Sequence, residues 1–162
     1  MMYFNPPIWL KNPHLQTILP RYLVKFNPKY ERELIKDSLS ESDVAFDYLF
    51  ANKQKDENGK YIAPIVVLFH GMEGSSQSHY AKTLAKIVHE ARLNFVVAHF
   101  RSCGGVAVSG KVFYNAGDTK EIHHYLNHLA EKFSCIYAIG VSLGGNALAK
   151  YMGEYGSDAI CQ

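Results

Sequence analysis

Two glycine-bearing turns carry the residue types that acyl transfer requires. Gly140-Val141-Ser142-Leu143-Gly144-Gly145 fits the pattern G-x-S-x-G. A serine at its centre must occupy a tight, strained turn between strand and helix, so that its hydroxyl projects above the sheet. The positions two before and two after it must lack bulky side chains, because the two backbones pass close together there. The following helix then aims its first amides at developing negative charge. The second turn, His70-Gly71-Met72-Glu73-Gly74, follows an apolar run and has the glycines needed to fold back beside the first. In that position the Met72 amide points at the same spot as the Leu143 amide. Two such donors make an oxyanion hole, each supplying about 3 to 4 kcal/mol of transition-state stabilisation. Either turn alone is compatible with a plain tight bend. Both at the carboxyl ends of strands of one sheet mark the place where open α/β folds bind ligands.

The elements that would position these turns are legible. Ile65 to Phe69, Asn94 to Phe100 and Cys135 to Val141 are continuous apolar runs, the form taken by strands buried on both faces. Tyr80, Leu84, Ile87, Val88 and Ala91 follow the 3.6-residue helical period, as do Ile122, Tyr125, Leu126, Leu129 and Phe133. Asp118 and Glu121 have capping-box spacing at the start of the second of these helices. Ala147, Leu148 and Tyr151 continue the helical pattern after the third run. Alternating strands and helices predict an α/β fold with right-handed crossovers and a mostly parallel sheet flanked by helices. Arg32 to Lys36 reads as a short strand and Asp43 to Ala51 as a strand near a sheet edge. Lys53 to Lys60 reads as an exposed turn. Residues 1–31 contain five of the six prolines and read as an irregular arm lying on the core, with Trp9 among its anchors. Residues 32–162 form the domain.

Composition narrows the function. The chain has 162 residues, 48% hydrophobic, with 17 basic and 15 acidic side chains, which leaves no basic excess for gripping nucleic acid. No run of 18 or more apolar residues is present, so no membrane span is expected. The start lacks a basic leader with an apolar core, and Cys103, Cys135 and Cys161 lack metal spacing. Both features point to free thiols in the cytoplasm. Gly105 to Lys111 nearly spells a phosphate loop, but Val112 stands where Ser or Thr is required and no helix follows. His124 and His128 lie one helical turn apart without a third ligand, which reads as a solvated helix face. His70, His79 and His99 read as packing or loop-bonding residues and Arg101 as structural. No metal or cofactor is expected.

Longer motifs make the sequence recognisable. Asn12 to Arg21 reads N-P-H-L-Q-T-I-L-P-R, His70 to Ala81 reads H-G-M-E-G-S-S-Q-S-H-Y-A, and His99 to Gly105 reads H-F-R-S-C-G-G. Tyr114 to Thr119 reads Y-N-A-G-D-T and Gly140 to Tyr151 reads G-V-S-L-G-G-N-A-L-A-K-Y. The chain resembles the α/β-hydrolase superfamily, and within it the YheT-like branch related to plant embryogenesis-associated hydrolases. The resemblance implies hydrolysis of acylglycerols or other carboxylic esters, with Ser142 as nucleophile and the Met72 and Leu143 amides as oxyanion donors. Ser102 departs from the branch, which usually has glycine there.

A serine hydroxyl needs a base to take its proton. In α/β-hydrolases the acid and the histidine follow the serine in chain order. No histidine follows Ser142, and Glu154 and Asp158 come too soon to end a later strand. Ala159-Ile160-Cys161 reads as the opening of another apolar strand. The expectation is therefore the N-terminal half of a hydrolase, truncated after the nucleophile helix, lacking the triad acid and histidine and inactive alone. The alternative is a non-catalytic hydrolase-like binding or scaffold protein.

Overall fold

The computed structural model describes residues 5–162, apart from the side chains of Trp9 and Pro20; the anchoring role expected of Trp9 lies outside the described residues. Five strands form one sheet in the order β1-β2-β4-β3-β5, with β1 at Glu31–Lys36, β2 at Asp43–Leu49, β3 at Ile65–Phe69, β4 at Asn94–Ala98 and β5 at Ile136–Gly140. β3 pairs in parallel with both β4 and β5, whereas β2 runs antiparallel to β1 and β4. The sheet is thus mixed. The strand at Asp43–Leu49 lies near the sheet edge, as expected: it is second in the order, with β1 outside it at the edge itself.

Alternation along the strands builds two cores. Ile65, Val67 and Phe69 of β3 and Val96 and Ala98 of β4 face α3 (Thr119–Lys132) and α4 (Leu143–Tyr155). Val66 and Leu68, with Phe95 and Val97, face α2 (His79–Glu90). Each fully buried aliphatic or aromatic side chain stabilises the fold by about 1.5–3 kcal/mol relative to exposure. That β3 and β4 are buried along their whole length explains why they read as unbroken apolar runs.

The order of connection creates a crevice. From β3 the chain crosses through α2 to β4 on one side. It then returns through α3, on the other face, past β3 to β5. Right-handed crossovers in opposite directions must use opposite faces. The loops leaving β3 and β5 consequently diverge, and a topological switch point lies between these neighbours.

Residues expected to be irregular include a helix, α1, at Pro13–Leu23. Pro13 occupies the first helical position, where its missing N–H is no loss, and the Asn12 side chain accepts the His14 N–H at 2.9 Å. Further along, Phe26 and Tyr30 pack on the core beside α2. At the far end, Gln162 donates its N–H to the Ile136 carbonyl, and its own carbonyl accepts from Ala138, both at 3.0 Å. This is a parallel-ladder pairing on β5.

Arg101 ties the sheet to α3. Its buried guanidinium contacts Asp37 at 2.7 Å, Asp118 at 2.6 Å, the Ser38 hydroxyl at 2.9 Å and the Glu121 carboxylate. Asp118 caps α3 by accepting the Glu121 N–H at 3.4 Å, but the Glu121 side chain turns to Arg101 instead of closing the capping box. Burial works to raise the Asp37 pKa, yet Arg101 and the Ser42 and Glu41 amides hold it below the usual carboxylate value. Arg101→Met would leave these carboxylates without their cation. Urea denaturation should show a loss of about 3–5 kcal/mol, and a loss below about 1 kcal/mol would contradict this role for Arg101.

Candidate active site

Only Val141 and Ser142 separate the end of β5 from the start of α4. The Val141 N–H donates to the Phe69 carbonyl at 3.0 Å, which ties the turn to the end of β3. Gly144 N–H bonds Val141 O, and Asn146 N–H bonds Ser142 O, each at 3.0 Å. Between these ties Ser142 adopts φ 52°, ψ −115°, in the left-handed half of conformational space, and is exposed. Such a backbone costs a non-glycine residue about 1–3 kcal/mol. The glycine requirement is direct: a Cβ on Gly140 would lie 2.5 Å from the Gly145 Cα, and one on Gly144 would overlap the Phe69 carbonyl.

The loop after β3 lies against this turn. Gly71 is buried, and a Cβ placed on it would sit 3.4 Å from the Ser142 Cβ. Gly71 donates its N–H to the Tyr80 hydroxyl at 3.1 Å and its carbonyl accepts from Gly74 at 2.9 Å. The Tyr114 hydroxyl accepts the Glu73 N–H at 3.1 Å and donates to the Glu73 carboxylate at 2.8 Å. Burial pushes the Tyr114 hydroxyl up to about 12, so it keeps the proton it donates. The Met72 side chain is 72% exposed and its amide follows Gly71 directly. Among the described residues, neither the Met72 nor the Leu143 N–H donates to a protein acceptor. Leu143 adjoins the exposed serine in the chain, and Met72 adjoins Gly71, which packs against it.

A second tier holds the loop. His70 Nδ1 contacts the Gly71 carbonyl at 2.7 Å, and its Nε2 accepts the Phe100 N–H at 3.2 Å. His99 Nδ1 contacts the Ala45 carbonyl at 2.9 Å, and its Nε2 accepts the Ser76 N–H at 3.0 Å. Each ring thus has one nitrogen on a carbonyl and the other on an amide, the pattern of a neutral imidazole. Burial drives His70 down to about 4 and lowers His99 as well. Ser76 donates its hydroxyl to Asp47 at 2.5 Å, and Arg32 grips the same carboxylate at 2.7 and 2.8 Å. Burial would raise Asp47, but Arg32 and Ser76 hold it low.

Both histidines are therefore loop-bonding residues, as the sequence predicts. No histidine hydrogen-bonds Ser142 among the described residues. His124 and His128 depart from the solvated face expected of them: they contact the Lys36 carbonyl at 2.9 Å and the Glu33 carboxylate at 3.1 Å, joining α3 to β1. Residues 105–111 form a loop whose Ser109 and Gly110 amides rest on the Ser42 hydroxyl. Ser102 has φ 66°, which accounts for glycine being the usual residue there. Tyr80 and Tyr114 escape sequence reasoning. The helical period of Tyr80 marks it as core-facing, but the reach of its hydroxyl across nine residues leaves no trace in that pattern.

No family model matches the chain. YheT of Escherichia coli (strain K12), which carries an esterase name, is 35% identical over 96% of the chain. A monoacylglycerol lipase of Saccharomyces cerevisiae (strain ATCC 204508 / S288c) is 31% identical over 56% of it. The chain spans 45% of the length of the first and 21% of the second. Among solved structures, the Pyrococcus furiosus esterase Pf2001 superposes with a TM-score of 0.53 at 20% identity, over 89% of this chain and 51% of that one. The strand order, the strained serine turn and these likenesses converge: the chain belongs to the α/β-hydrolase superfamily.

Proposed function

We propose that this chain carries the nucleophile and oxyanion site of a serine-dependent carboxylic-ester hydrolase, acting on acylglycerols or other acyl esters in the cytoplasm. The observation that carries the reading is the exposed Ser142, strained at φ 52° at the head of α4 with the Gly71 backbone packed against it; we assign the unpaired Met72 and Leu143 amides as its oxyanion donors. A base takes the hydroxyl proton as Oγ bonds the acyl carbon. The carbonyl electrons move to oxygen, where the two amides receive them. Collapse expels the alcohol, which gains the proton, and leaves an acyl-enzyme. Water then cleaves the acyl-enzyme to the carboxylic acid and restores Ser142. The chain spans under half of YheT, and we assign the triad acid and histidine to a following part of a longer protein. Residues 1–31 serve as an arm on the domain of residues 32–162.

A non-catalytic scaffold is the competing reading, favoured by the lack of any histidine bonded to Ser142 among the described residues. A fluorophosphonate probe separates the two. The longer protein should label at Ser142 and lose labelling in Ser142→Ala, whereas residues 1–162 alone should show only residual esterase turnover. Absence of labelling in the longer protein would favour the scaffold. Robust turnover by residues 1–162, lost on Ser142→Ala, would overturn the assignment of the base to another segment.

The loop histidines give a separate test. Both have folded-state pKa values below the free imidazole value of about 6.5. As pH falls, the unfolded chain takes up their protons first. Their stabilising contribution is complete above about pH 6.5 and drains away as pH drops toward the folded His70 value of about 4. Denaturation between pH 7 and 5 should show stability falling by up to about 1.4 kcal/mol per pH unit for each histidine. A flat profile would contradict the neutral, buried state of both rings.

A further inference from the structure

Within residues 1–162, α1 turns its apolar face outward and not onto the core. Leu15, Ile18 and Tyr22 recur at i, i+3 and i+7 and so share one face, yet they are 40%, 53% and 73% exposed. Leu23 extends the stripe at 57% exposure, and Ile8 just before the helix is 81% exposed.

Charge is segregated onto the same segment. Four of the 17 basic residues and none of the 15 acidic ones fall in the first 30 residues, so the arm carries +4 and the remainder −2. These are Lys11, Arg21, Lys25 and Lys29, and all are exposed. Among the described residues none of them forms an ion pair. A helix with an exposed apolar stripe, in a segment whose charged side chains are all cations, has the design of an element that lies in the interface of a bilayer.

Its position gives that design a purpose. Ile18, Arg21 and Tyr22 face Glu73, Ser75 and Tyr80 across a groove of about 800 Å³. Tyr80 holds the Gly71 amide, and Gly71 backs Ser142. One wall of the groove, Tyr80, is thus linked through Gly71 to the serine turn.

We propose that α1 and the basic segment after it dock on an anionic phospholipid surface, with the apolar stripe inserted at the level of the acyl chains and the lysines on the headgroups. Docking turns the groove toward the bilayer, so that an amphiphilic ester passes from membrane to site without crossing water. The docking surface stands on its own observations; its use in catalysis rests on the hydrolase reading.

Co-sedimentation with phosphatidylcholine vesicles, with and without phosphatidylglycerol, tests this on the full-length protein and its Ser142→Ala form. Both should bind the mixed vesicles and release at high salt. Each cation removed should weaken binding about fivefold, so the combined variant Arg21→Gln, Lys25→Gln, Lys29→Gln should lose about a hundredfold. Ile18→Asp with Tyr22→Asp should abolish binding while leaving the thermal melt unchanged, since both side chains are exposed. No binding to mixed vesicles, or equal binding to phosphatidylcholine alone, would overturn the proposal whether or not a variant folds. So would light scattering that shows the stripe sealed in a dimer broken by Ile18→Asp, or a structure of the longer protein with its following segment seated on Leu15, Ile18 and Tyr22. Labelling of Ser142 without vesicle binding rejects the docking and spares the hydrolase reading; vesicle binding without labelling does the reverse.

Discussion

Ser142 stands at a backbone conformation that an L-residue avoids, and much of the structure serves to keep it there. The strain of about 1–3 kcal/mol persists only where neighbours over-determine the turn. Those neighbours are the β3–β5 pairing, the Val141 amide on the Phe69 carbonyl, and two glycines where a single methyl group would collide with main chain. The same constraint makes the serine useful. A hydroxyl lifted clear of the sheet has the α4 N-terminus behind it and the β3 loop beside it.

Holding the loop is a distributed task. Tyr80, Tyr114, His70 and His99 each fix a different main-chain group, and Asp47 anchors the far end through Ser76. The two unpaired amides consequently sit on backbone with little freedom to relax toward other acceptors. For the oxyanion role we propose for them, such preorganisation matters, since donors that must reorient as charge develops give up part of their effect.

The central sheet is legible in the sequence because two-sided burial writes itself as unbroken apolar runs, as in I-V-V-L-F of β3. The serine turn is legible for a related reason: close approach of two backbones admits only glycine at fixed offsets. Contacts made across the fold are not. The antiparallel pairing of β2 with β4 joins segments far apart in the chain. Glu121 has the spacing of a capping partner, yet a buried guanidinium outcompetes the cap. α1 is obscured because its prolines dominate the local pattern, although Asn12 and Pro13 are a valid helix start. Its apolar period is present in the sequence; which way that face points is not.

The claim on which everything turns is the convergence of two amides on one position beside Ser142 Oγ. A crystal structure of the longer protein carrying a phosphonate adduct measures this directly. The account predicts a bond from Ser142 Oγ to phosphorus, with the phosphoryl oxygen about 2.7–3.1 Å from both the Met72 and Leu143 nitrogens. An adduct on a different residue, or a phosphoryl oxygen turned away from either amide, would contradict it.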